Sequence, residues 1–333
     1  MINVKTRSIS PELPGTDKKL GPVFHDEKWI AYRKKWDEYP AYGIVDKVPL
    51  QIDLFAVDIC NLKCPMCPRQ VFIPGKGYMD FSFVKAVIDQ ATEHGLCALN
   101  FAGLGEPTLY PELFAVIRYA KEKGVVDVNM HTNGTRLGTA FNKNLIESGL
   151  DRLIISLDSA DKERYERIRV GAKFEKVYAA VEDLIKQRNE HPQTRLHIKA
   201  NFIEMDESDP TEKNKFISYW ENKLDRIAIL RYLDCQSEEE ELYHKANYNQ
   251  DDNFCCPELW RRLVILSDGT ATLCPRDMKK RYVIGDIDKQ TVSEIWEGVM
   301  MQKARDLHRN GRFKELDLCK DCPDSYEKKS VVE

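Results

Sequence analysis

A repeated alternation of predicted strands and helices constrains the fold of this chain more than any other feature. Six apolar segments are predicted to be strands, at residues 51–57, 98–102, 126–131, 152–157, 195–203 and 226–230. Helical patterns follow the first five, at about residues 80–93, 111–123, 139–148, 161–168 with 174–190, and 211–222. Strands that alternate with helices form a parallel sheet. Because a closed barrel has eight such units, six predict an α/β fold, a partial (β/α)6 barrel of the TIM type with an open side.

The segments on either side of this barrel differ from it in composition. Residues 1–48 are polar with scattered aromatic residues and predict an N-terminal extension with a short helix near 26–37. The barrel is assigned to residues 49–236, and a polar stretch with an acidic run predicts a linker over 237–254. Residues 255–333 are predicted to form a small C-terminal domain. In it, segments 263–266 and 270–273 flank Asp268-Gly269, a strong hairpin signal, and a helix follows near 291–309.

Composition excludes several classes of partner. The net charge of −4 over 333 residues gives no reason to expect nucleic acid or an anionic membrane surface as a partner. No apolar run approaches the roughly 20 residues needed to span a bilayer. The polar, mixed-charge N-terminus predicts no secretory signal. Ten cysteines in such a chain therefore indicate the cytoplasm, where thiols stay reduced and serve as metal ligands or catalysts.

Three cysteines follow the first predicted strand directly. Cys60, Cys64 and Cys67 have the spacing C-x3-C-x2-C. Three thiolates on one loop can hold three corners of a 4Fe–4S cube and leave the fourth iron open to a small chelating ligand. Zinc and purely structural roles are the alternatives, although zinc needs a fourth ligand and no His or Cys occurs between Cys67 and His94. The spacing alone leaves these alternatives open.

Polar and glycine-rich segments follow the later strands. The carboxyl ends of parallel strands meet at one face of a barrel, where functional residues gather. The second strand is followed by Gly103-Leu-Gly-Glu-Pro107, whose glycines permit close backbone approach and whose Glu106 can accept hydrogen bonds from an ammonium group. The later strands contribute Thr132-Asn-Gly134, Ser156, Asp158 and Asn201.

This ordered set of motifs resembles the radical S-adenosylmethionine (radical SAM) enzymes over about residues 49–232. In that family the open iron of a three-cysteine 4Fe–4S cluster binds the amino and carboxylate groups of SAM. Reductive cleavage of SAM then gives a 5′-deoxyadenosyl radical, which removes a hydrogen atom from the substrate. The resemblance implies that Gly103, Gly105 and Glu106 hold the amino end of SAM.

The resemblance also implies roles for residues on the other strands. Ser156 and Arg169 are candidates for the polar and carboxylate groups of SAM, and Asn133 and Asn201 are further candidates for binding it. The alternative is that Ser156 only satisfies backbone groups and Arg169 only pairs with a surface acid. Met66 stands where the family usually has an aromatic residue near the adenine, so we expect an altered adenine contact.

A second set of cysteines lies beyond the predicted linker, at Cys255, Cys256, Cys274, Cys319 and Cys322. A hairpin followed by C-x2-C is also how zinc ribbons bind metal, and these residues alone favour zinc. The pattern C-x12-G-x4-C before C-x2-C resembles the twitch domain of radical SAM enzymes, a shortened SPASM domain that carries one auxiliary 4Fe–4S cluster. Whether Cys255 or Cys256 is the ligand stays open.

The resemblance implies a radical SAM oxidoreductase (dehydrogenase) or epimerase that acts on a carbohydrate-like or aminocyclitol-like small polar molecule. A flavodoxin- or ferredoxin-type protein is the implied electron donor. Cys235 is a candidate hydrogen-atom donor to a substrate radical, and an incidental loop cysteine is the alternative. Modification of a ribosomally made peptide and a non-catalytic zinc-binding protein are alternative functions. The aromatic residues of the N-terminal extension either cover the active site or pack elsewhere.

Overall fold

Alternating strands and helices run through most of the chain, as the sequence pattern predicts. The computed structural model describes residues 26–70, 77–205, 210–231 and 248–328. The strands in these ranges are β1 (Gln51–Phe55), β2 (Ala98–Phe101), β3 (Asp127–Thr132), β4 (Arg152–Ser156), β5 (His197–Glu204), β6 (Arg226–Arg231), β7 (Tyr248–Gln250), β8 (Arg262–Leu266), β9 (Thr270–Thr272), β10 (Val283–Asp286) and β11 (Tyr326–Lys328).

The helices cover the segments between these strands. They are α1 (Glu27–Tyr42), α2 (Phe81–Thr92), α3 (Leu113–Glu122), α4 (Thr139–Glu147), α5 (Lys162–Ile168), α6 (Phe174–Glu190), α7 (Pro210–Trp220), α8 (Val292–Trp296) and α9 (Val299–Arg309). Asp80 caps α2 by accepting from the amide of Ser82, which decides between the two N-cap residues that the sequence suggests. Within the described ranges, no helix has the length and apolar character that crossing a bilayer requires.

Among the described residues, β1 to β6 form a parallel sheet in chain order, and this sheet continues into the C-terminal segment in the order β10-β9-β8-β1-β2-β3-β4-β5-β6. β8 pairs with β1 in parallel, with Gln51 opposite Arg262, while β9 and β10 add antiparallel strands. The sheet is open, which confirms the predicted partial barrel. The sequence pattern gave no sign that the C-terminal hairpin would extend the same sheet.

The two faces of the parallel strands differ in chemistry. Residues on one face are apolar and completely or almost completely buried, as Leu54, Phe101 and Ile155 illustrate. The opposite face carries polar side chains, namely Asp53, Asn100, Asn129, His131, Arg152, Ser156, Lys199 and Asn201. Because successive side chains of a strand alternate between faces, the apolar face packs under the helices and the polar face lines the inside of the partial barrel.

The N-terminal helix lies at the amino ends of the strands. The Nε of Arg261 donates to the backbone oxygen of Trp36 at 2.7 Å, and the guanidinium of Arg262, the first residue of β8, lies 5.2 Å from the Trp36 ring centroid. The guanidinium of Arg152, the first residue of β4, lies 5.8 Å from the Trp29 ring centroid. Trp29 and Trp36 therefore pack at the end opposite the candidate site and do not cover it.

Three differences from the predicted elements have local causes. Residues 248–250, predicted within the linker, form β7, which pairs with β11; these short strands lack the Asp-Gly signal that identified the equally short β9. Residues 283–286 form β10, a four-residue strand that was not predicted and that likewise follows no Asp-Gly turn signal. The predicted helix at 291–309 is two helices, because the segment Glu297-Gly298 lies between α8 and α9.

Candidate active site

The loop after β1 holds its three cysteines by local hydrogen bonds. The amide of Cys67 donates to the backbone oxygen of Cys64 at 3.1 Å. The Sγ of Cys60 accepts from the amide of Leu62 at 3.5 Å. Cys64 is buried, whereas Cys60 and Cys67 are partly exposed. The loop therefore presents three thiols from one short stretch of chain, as the spacing predicts.

These thiols line a cavity of about 210 Å³ at the carboxyl ends of β1 to β4. The residues that line it are Cys60, Leu62, Cys64, Cys67, Arg69, Ala102, Gly103, Leu104, Gly105, Glu106, His131, Thr132, Asn133, Ser156 and Arg169. The structure thus brings most of the predicted site residues together around one space. Asn201 does not line the cavity, but it is the register partner of Ser156 on the neighbouring strand. Met66 is partly buried and packs against the core.

The glycines after β2 allow two loops to meet. Gly103 has φ +114°, and a Cβ built there would lie 2.5 Å from the ring of Phe55. A Cβ at Gly105 would lie 2.0 Å from the backbone oxygen of Val57. Only a residue without a side chain fits such a contact. The glycine loop therefore lies directly against the cysteine loop.

The carboxylate of Glu106 connects the loop after β2 with the segment at the end of β3. It is 3% exposed, and its Oε1 accepts from the hydroxyls of Thr108 at 2.7 Å and Thr132 at 2.6 Å. Its Oε2 accepts from the amide of Asn133 at 2.7 Å. Both oxygens thus have partners within the protein, and the sequence did not indicate Thr132 and Asn133 because they lie in a different loop. Binding of an ammonium group by Glu106 stays a prediction.

Asn133 links this network to the cysteines. Its Nδ2 donates to the Oδ1 of Asn61 at 3.0 Å and lies 3.9 Å from the Sγ of Cys60. Its Oδ1 accepts from the amide of Thr135 at 2.9 Å. The amide side chain is thereby fixed with its NH₂ group towards the sulfur, a suitable orientation for stabilising a thiolate.

Arg169 pairs with a buried acid and not with a surface one. Its Nε donates to the Oδ2 of Asp158 at 2.6 Å, and the Asp158 side chain is completely buried. The alternative of a surface ion pair is therefore wrong. The pKa of the Cys64 thiol is raised, because the effect of burial exceeds the opposing effect of the neighbouring Arg169 charge. Ligation of a metal must therefore displace a proton from a thiol that is already beside a cation.

His131 is a cavity residue that the motifs did not single out. Burial, together with the charges of Lys199, Arg152 and Arg262, lowers its pKa to about 3. Its imidazole is therefore neutral at pH 7. Its position two residues after Asn129 on β3, just before the Thr132-Asn-Gly134 segment, is the signal that could have identified it.

Four of the five C-terminal cysteines influence one another. Burial raises the pKa of Cys256 well above its usual value, and the charges of Glu258, Cys322, Cys274 and Cys319 raise it further. The amide of Cys322 donates to the backbone oxygen of Cys319 at 3.1 Å. These four thiols come from three separate segments of the chain, and they supply the donor set that a closed iron–sulfur site needs.

Cys255 faces a different environment. Burial raises its pKa to about 11, and the charged group that acts on it is Arg309 and not another cysteine. The adjacent Cys256 is therefore the member of the pair that the structure groups with Cys274, Cys319 and Cys322. Among the described residues, no three His, Cys, Asp or Glu side chains converge on the position of a single metal ion.

Alanine variants of the two adjacent cysteines should separate their roles. Cys256→Ala is expected to lower the iron content of the reconstituted protein from about eight to about four atoms per chain, because one corner of a closed cluster is lost. Cys255→Ala, the matched control, should keep about eight. Iron and sulfide analysis measures both, and iron loss in Cys255→Ala alone would reverse the assignment.

Comparison with known families identifies two domains. Residues 55–194 match the radical SAM superfamily, and residues 255–323 match the SPASM family, described as an iron–sulfur cluster-binding domain. The second match overturns the zinc alternative for the C-terminal cysteines. The two domains imply a SAM-binding 4Fe–4S cluster, SAM itself and an auxiliary 4Fe–4S cluster. The two groups of thiols described above fit these clusters in number and location.

Solved structures with the same fold belong to several enzymes. The chain matches BtrN in complex with AdoMet and 2-DOIA with a TM-score of 0.55 and 20% identity, over 87% of this chain and 97% of that one. It matches Streptococcus suis SuiB bound to the precursor peptide SuiA with a TM-score of 0.61 and 15% identity, over 82% and 70%. It matches anSMEcpe with bound AdoMet with a TM-score of 0.61 and 19% identity, over 85% and 92%. At these identities the likeness shows the fold.

Curated relatives match over part of their length. A probable GTP 3′,8-cyclase of Methanococcus maripaludis is 32% identical over 165 residues, which are 48% of this chain and 53% of the relative. The molybdenum cofactor biosynthesis protein moc-5 of Caenorhabditis elegans is 25% identical over 312 residues, 80% of this chain and 51% of the relative. The chain thus spans about half the length of these relatives.

Proposed function

Because the chain belongs to the radical SAM superfamily and carries a C-terminal SPASM domain, we propose that it removes a hydrogen atom from a hydroxyl-bearing small molecule. The substrate is of the carbohydrate or aminocyclitol class, and the reaction ends in oxidation or epimerisation. The polar face inside the partial barrel is the observation that supports this substrate class.

The cysteine loop and the cavity supply the binding groups for the cofactors. In the proposal, Cys60, Cys64 and Cys67 hold the SAM-binding cluster, while Cys256, Cys274, Cys319 and Cys322 hold the auxiliary one. Gly103, Gly105, Glu106, Asn133, Ser156, Arg169, Asn201 and Met66 are the candidate contacts of SAM. When bound, these cofactors supply a 5′-deoxyadenosyl radical that takes a hydrogen atom from carbon, and an acceptor for the second electron of an oxidation.

Three buried amide side chains on the inner face have unpaired atoms. The Oδ1 of Asn100, the Nδ2 of Asn129 and the Oδ1 of Asn201 have no hydrogen-bond partner among the described residues. Asn100 and Asn129 are register partners on adjacent strands, and Asn129 shares a strand face with the cavity residue His131. Buried polar groups normally find partners. Three unpaired polar atoms on the face that lines the inside of the partial barrel therefore favour a polar ligand.

The inner face carries the charged residues Asp53, Arg152 and Lys199, and beside them it carries uncharged hydrogen-bonding groups. The amides of Asn129 and Asn201 are neutral, and the depressed pKa of His131 keeps its imidazole neutral as well. Neutral donors and acceptors suit the hydroxyl and amine groups of a sugar or aminocyclitol. The hydrogen-bonding surface is therefore suited to a polyhydroxylated molecule.

Two further parts of the proposal lie outside what the described residues test. Cys235 is proposed as the hydrogen-atom donor of an epimerisation, and it lies outside the described residues. A cytoplasmic location belongs to the proposal because cluster-binding thiols must stay reduced. A flavodoxin- or ferredoxin-type electron donor belongs to it because reductive cleavage of SAM consumes one electron.

The activity is tested with the reconstituted protein, dithionite, SAM and candidate sugars or aminocyclitols. We expect deoxyadenosine to form, and its amount to rise when a substrate is present. Mass spectrometry then identifies the outcome: a loss of two daltons means oxidation, and uptake of solvent deuterium without another mass change means epimerisation. Absence of deoxyadenosine from protein with both clusters would contradict the proposal.

Asn129→Leu tests the role of the inner face in the same assay. It should lower substrate-dependent turnover by about tenfold or more, since it removes a buried hydrogen-bonding group. It should leave cleavage of SAM without substrate unchanged. Asn144→Leu, at an exposed position of α4, is the control and should affect neither rate. Equal turnover by Asn129→Leu and the unsubstituted protein would argue against substrate binding at this face.

A ribosomally made peptide is the second candidate substrate. The fold also matches SuiB bound to its precursor peptide, with a TM-score of 0.61. A peptide that increases deoxyadenosine formation and changes in mass, where sugars and aminocyclitols do not, would favour this second function.

A further inference from the structure

Arg169 lies between a buried carboxylate and one cysteine of the loop after β1. Its Nε donates to the Oδ2 of Asp158 at 2.6 Å, and its Nη2 donates to the same oxygen. Its third nitrogen, Nη1, lies 3.9 Å from the Sγ of Cys64. The arginine side chain is 12% exposed and lines the cavity. The guanidinium is thus held on one side and faces the thiol and the cavity on the other.

Asp158 has a backbone conformation that few residues other than glycine adopt. Its φ is +58°, in the left-handed region, which aspartate tolerates better than most residues. Its amide donates to the backbone oxygen of Asn201 at 3.2 Å, and its Oδ1 accepts from the amide of Ile203 at 3.0 Å. These contacts to β5 hold the turn after β4 so that the carboxylate points at Arg169. Surrounding structure of this kind is needed to maintain a strained residue, and such residues concentrate at functional sites.

The residues after Arg169 hold the cysteine loop itself. The backbone oxygen of Val170 accepts from the amide of Lys63 at 2.9 Å. Gly171 has φ +103°, and a Cβ built there would lie 3.2 Å from the side chain of Leu62. The same turn therefore fixes both the position of the cysteine loop and that of the arginine.

We infer that Asp158 is a positioning residue that directs the Nη1 of Arg169 at the Cys64 sulfur and thereby raises the reduction potential of the SAM-binding cluster. An N–H donor to a ligating sulfur stabilises the reduced, more negative form of an iron–sulfur cluster. The same fixed geometry leaves further N–H groups of Arg169 available to a carboxylate in the cavity. The inference concerns the cluster and SAM alone, so it is tested without the substrate proposed above.

Asp158→Asn is the first test variant, because asparagine keeps the side-chain shape and tolerates the left-handed backbone. Two quantities are measured on the reconstituted full-length protein: the midpoint potential of the EPR signal that changes on SAM addition, and the KM for SAM in substrate-free deoxyadenosine formation. We expect a more negative potential and a KM raised about tenfold. Arg169→Lys keeps the charge, loses the planar fork and should give the same two changes.

Asp127→Asn is the matched control. Asp127 is likewise completely buried and pairs with Arg152, but at the opposite, amino end of the strands. It should lower the thermal stability without moving the potential. A less negative potential in Asp158→Asn would mean that only the loss of the negative charge affects the cluster. An unchanged potential would mean that the Asp158–Arg169 pair has a purely structural role. Either result overturns the inference. If Asp158→Asn does not fold, Arg169→Lys decides by the same criteria.

Discussion

Alanine at Cys64 is expected to abolish reductive cleavage of SAM, with deoxyadenosine formation reduced by at least about a thousandfold. Cys64 is buried and lies between Cys60 and Cys67 in the loop after β1. A cluster with two thiolate ligands lacks the third corner that keeps a single iron open for SAM. The iron content should fall from about eight to about four atoms per chain, because the C-terminal cysteines keep their own cluster.

Cys97→Ala is the control for this loss. Cys97 is a partly buried cysteine just before β2, with its Sγ 3.4 Å from the backbone oxygen of Gly95, and it does not line the cavity. Its alanine variant should keep both the iron content and the cleavage rate. Full cleavage of SAM by Cys64→Ala would show that the three-cysteine loop is not where SAM is activated.

Local sequence patterns predicted the strands and helices of the barrel because apolar strand segments alternate there with helical patterns in a regular order. β3, for example, was predicted at 126–131 and lies at Asp127–Thr132. The parallel pairing of β8 with β1 was not predicted, since Gln51 and Arg262 are far apart in sequence and pairing of this kind leaves no local pattern. For the same reason the position of α1 under the amino ends of the strands could not be predicted.

The residues of the candidate site likewise fall into two groups, those that a local motif identifies and those that only the fold brings together. The cysteine spacing and the glycines after β2 were identified because several functional residues lie together in one motif. Thr132 and Asp158 lie in motifs that were noted, but their partners Glu106 and Arg169 come from other loops. Partners of this kind are set by how the strands converge, which depends on the whole sheet.

Gly105→Ala, which adds one methyl group, is expected to disrupt the candidate active site strongly. The added Cβ would lie 2.0 Å from the backbone oxygen of Val57 and 2.9 Å from that of Ile59. Neither atom belongs to a flexible side chain, so the glycine loop must move away from the cysteine loop. We expect a loss of more than about 3 kcal/mol in the free energy of unfolding, the upper range for added volume at a tight contact.

The movement should reach the chemistry because the two loops are bonded at this point. The amide of Glu106 donates to the backbone oxygen of Ile59 at 2.8 Å, just before Cys60. A displacement of about 1 Å is enough to slow a reaction by roughly a hundredfold, and we expect a decrease of that size in deoxyadenosine formation by the fraction that remains folded. Gly138→Ala is the matched control, because a Cβ there meets no atom within 4 Å. Equal thermal stability and equal cleavage rates in both variants would contradict a close contact between the loops, so calorimetry and the cleavage assay should be run on the two proteins side by side.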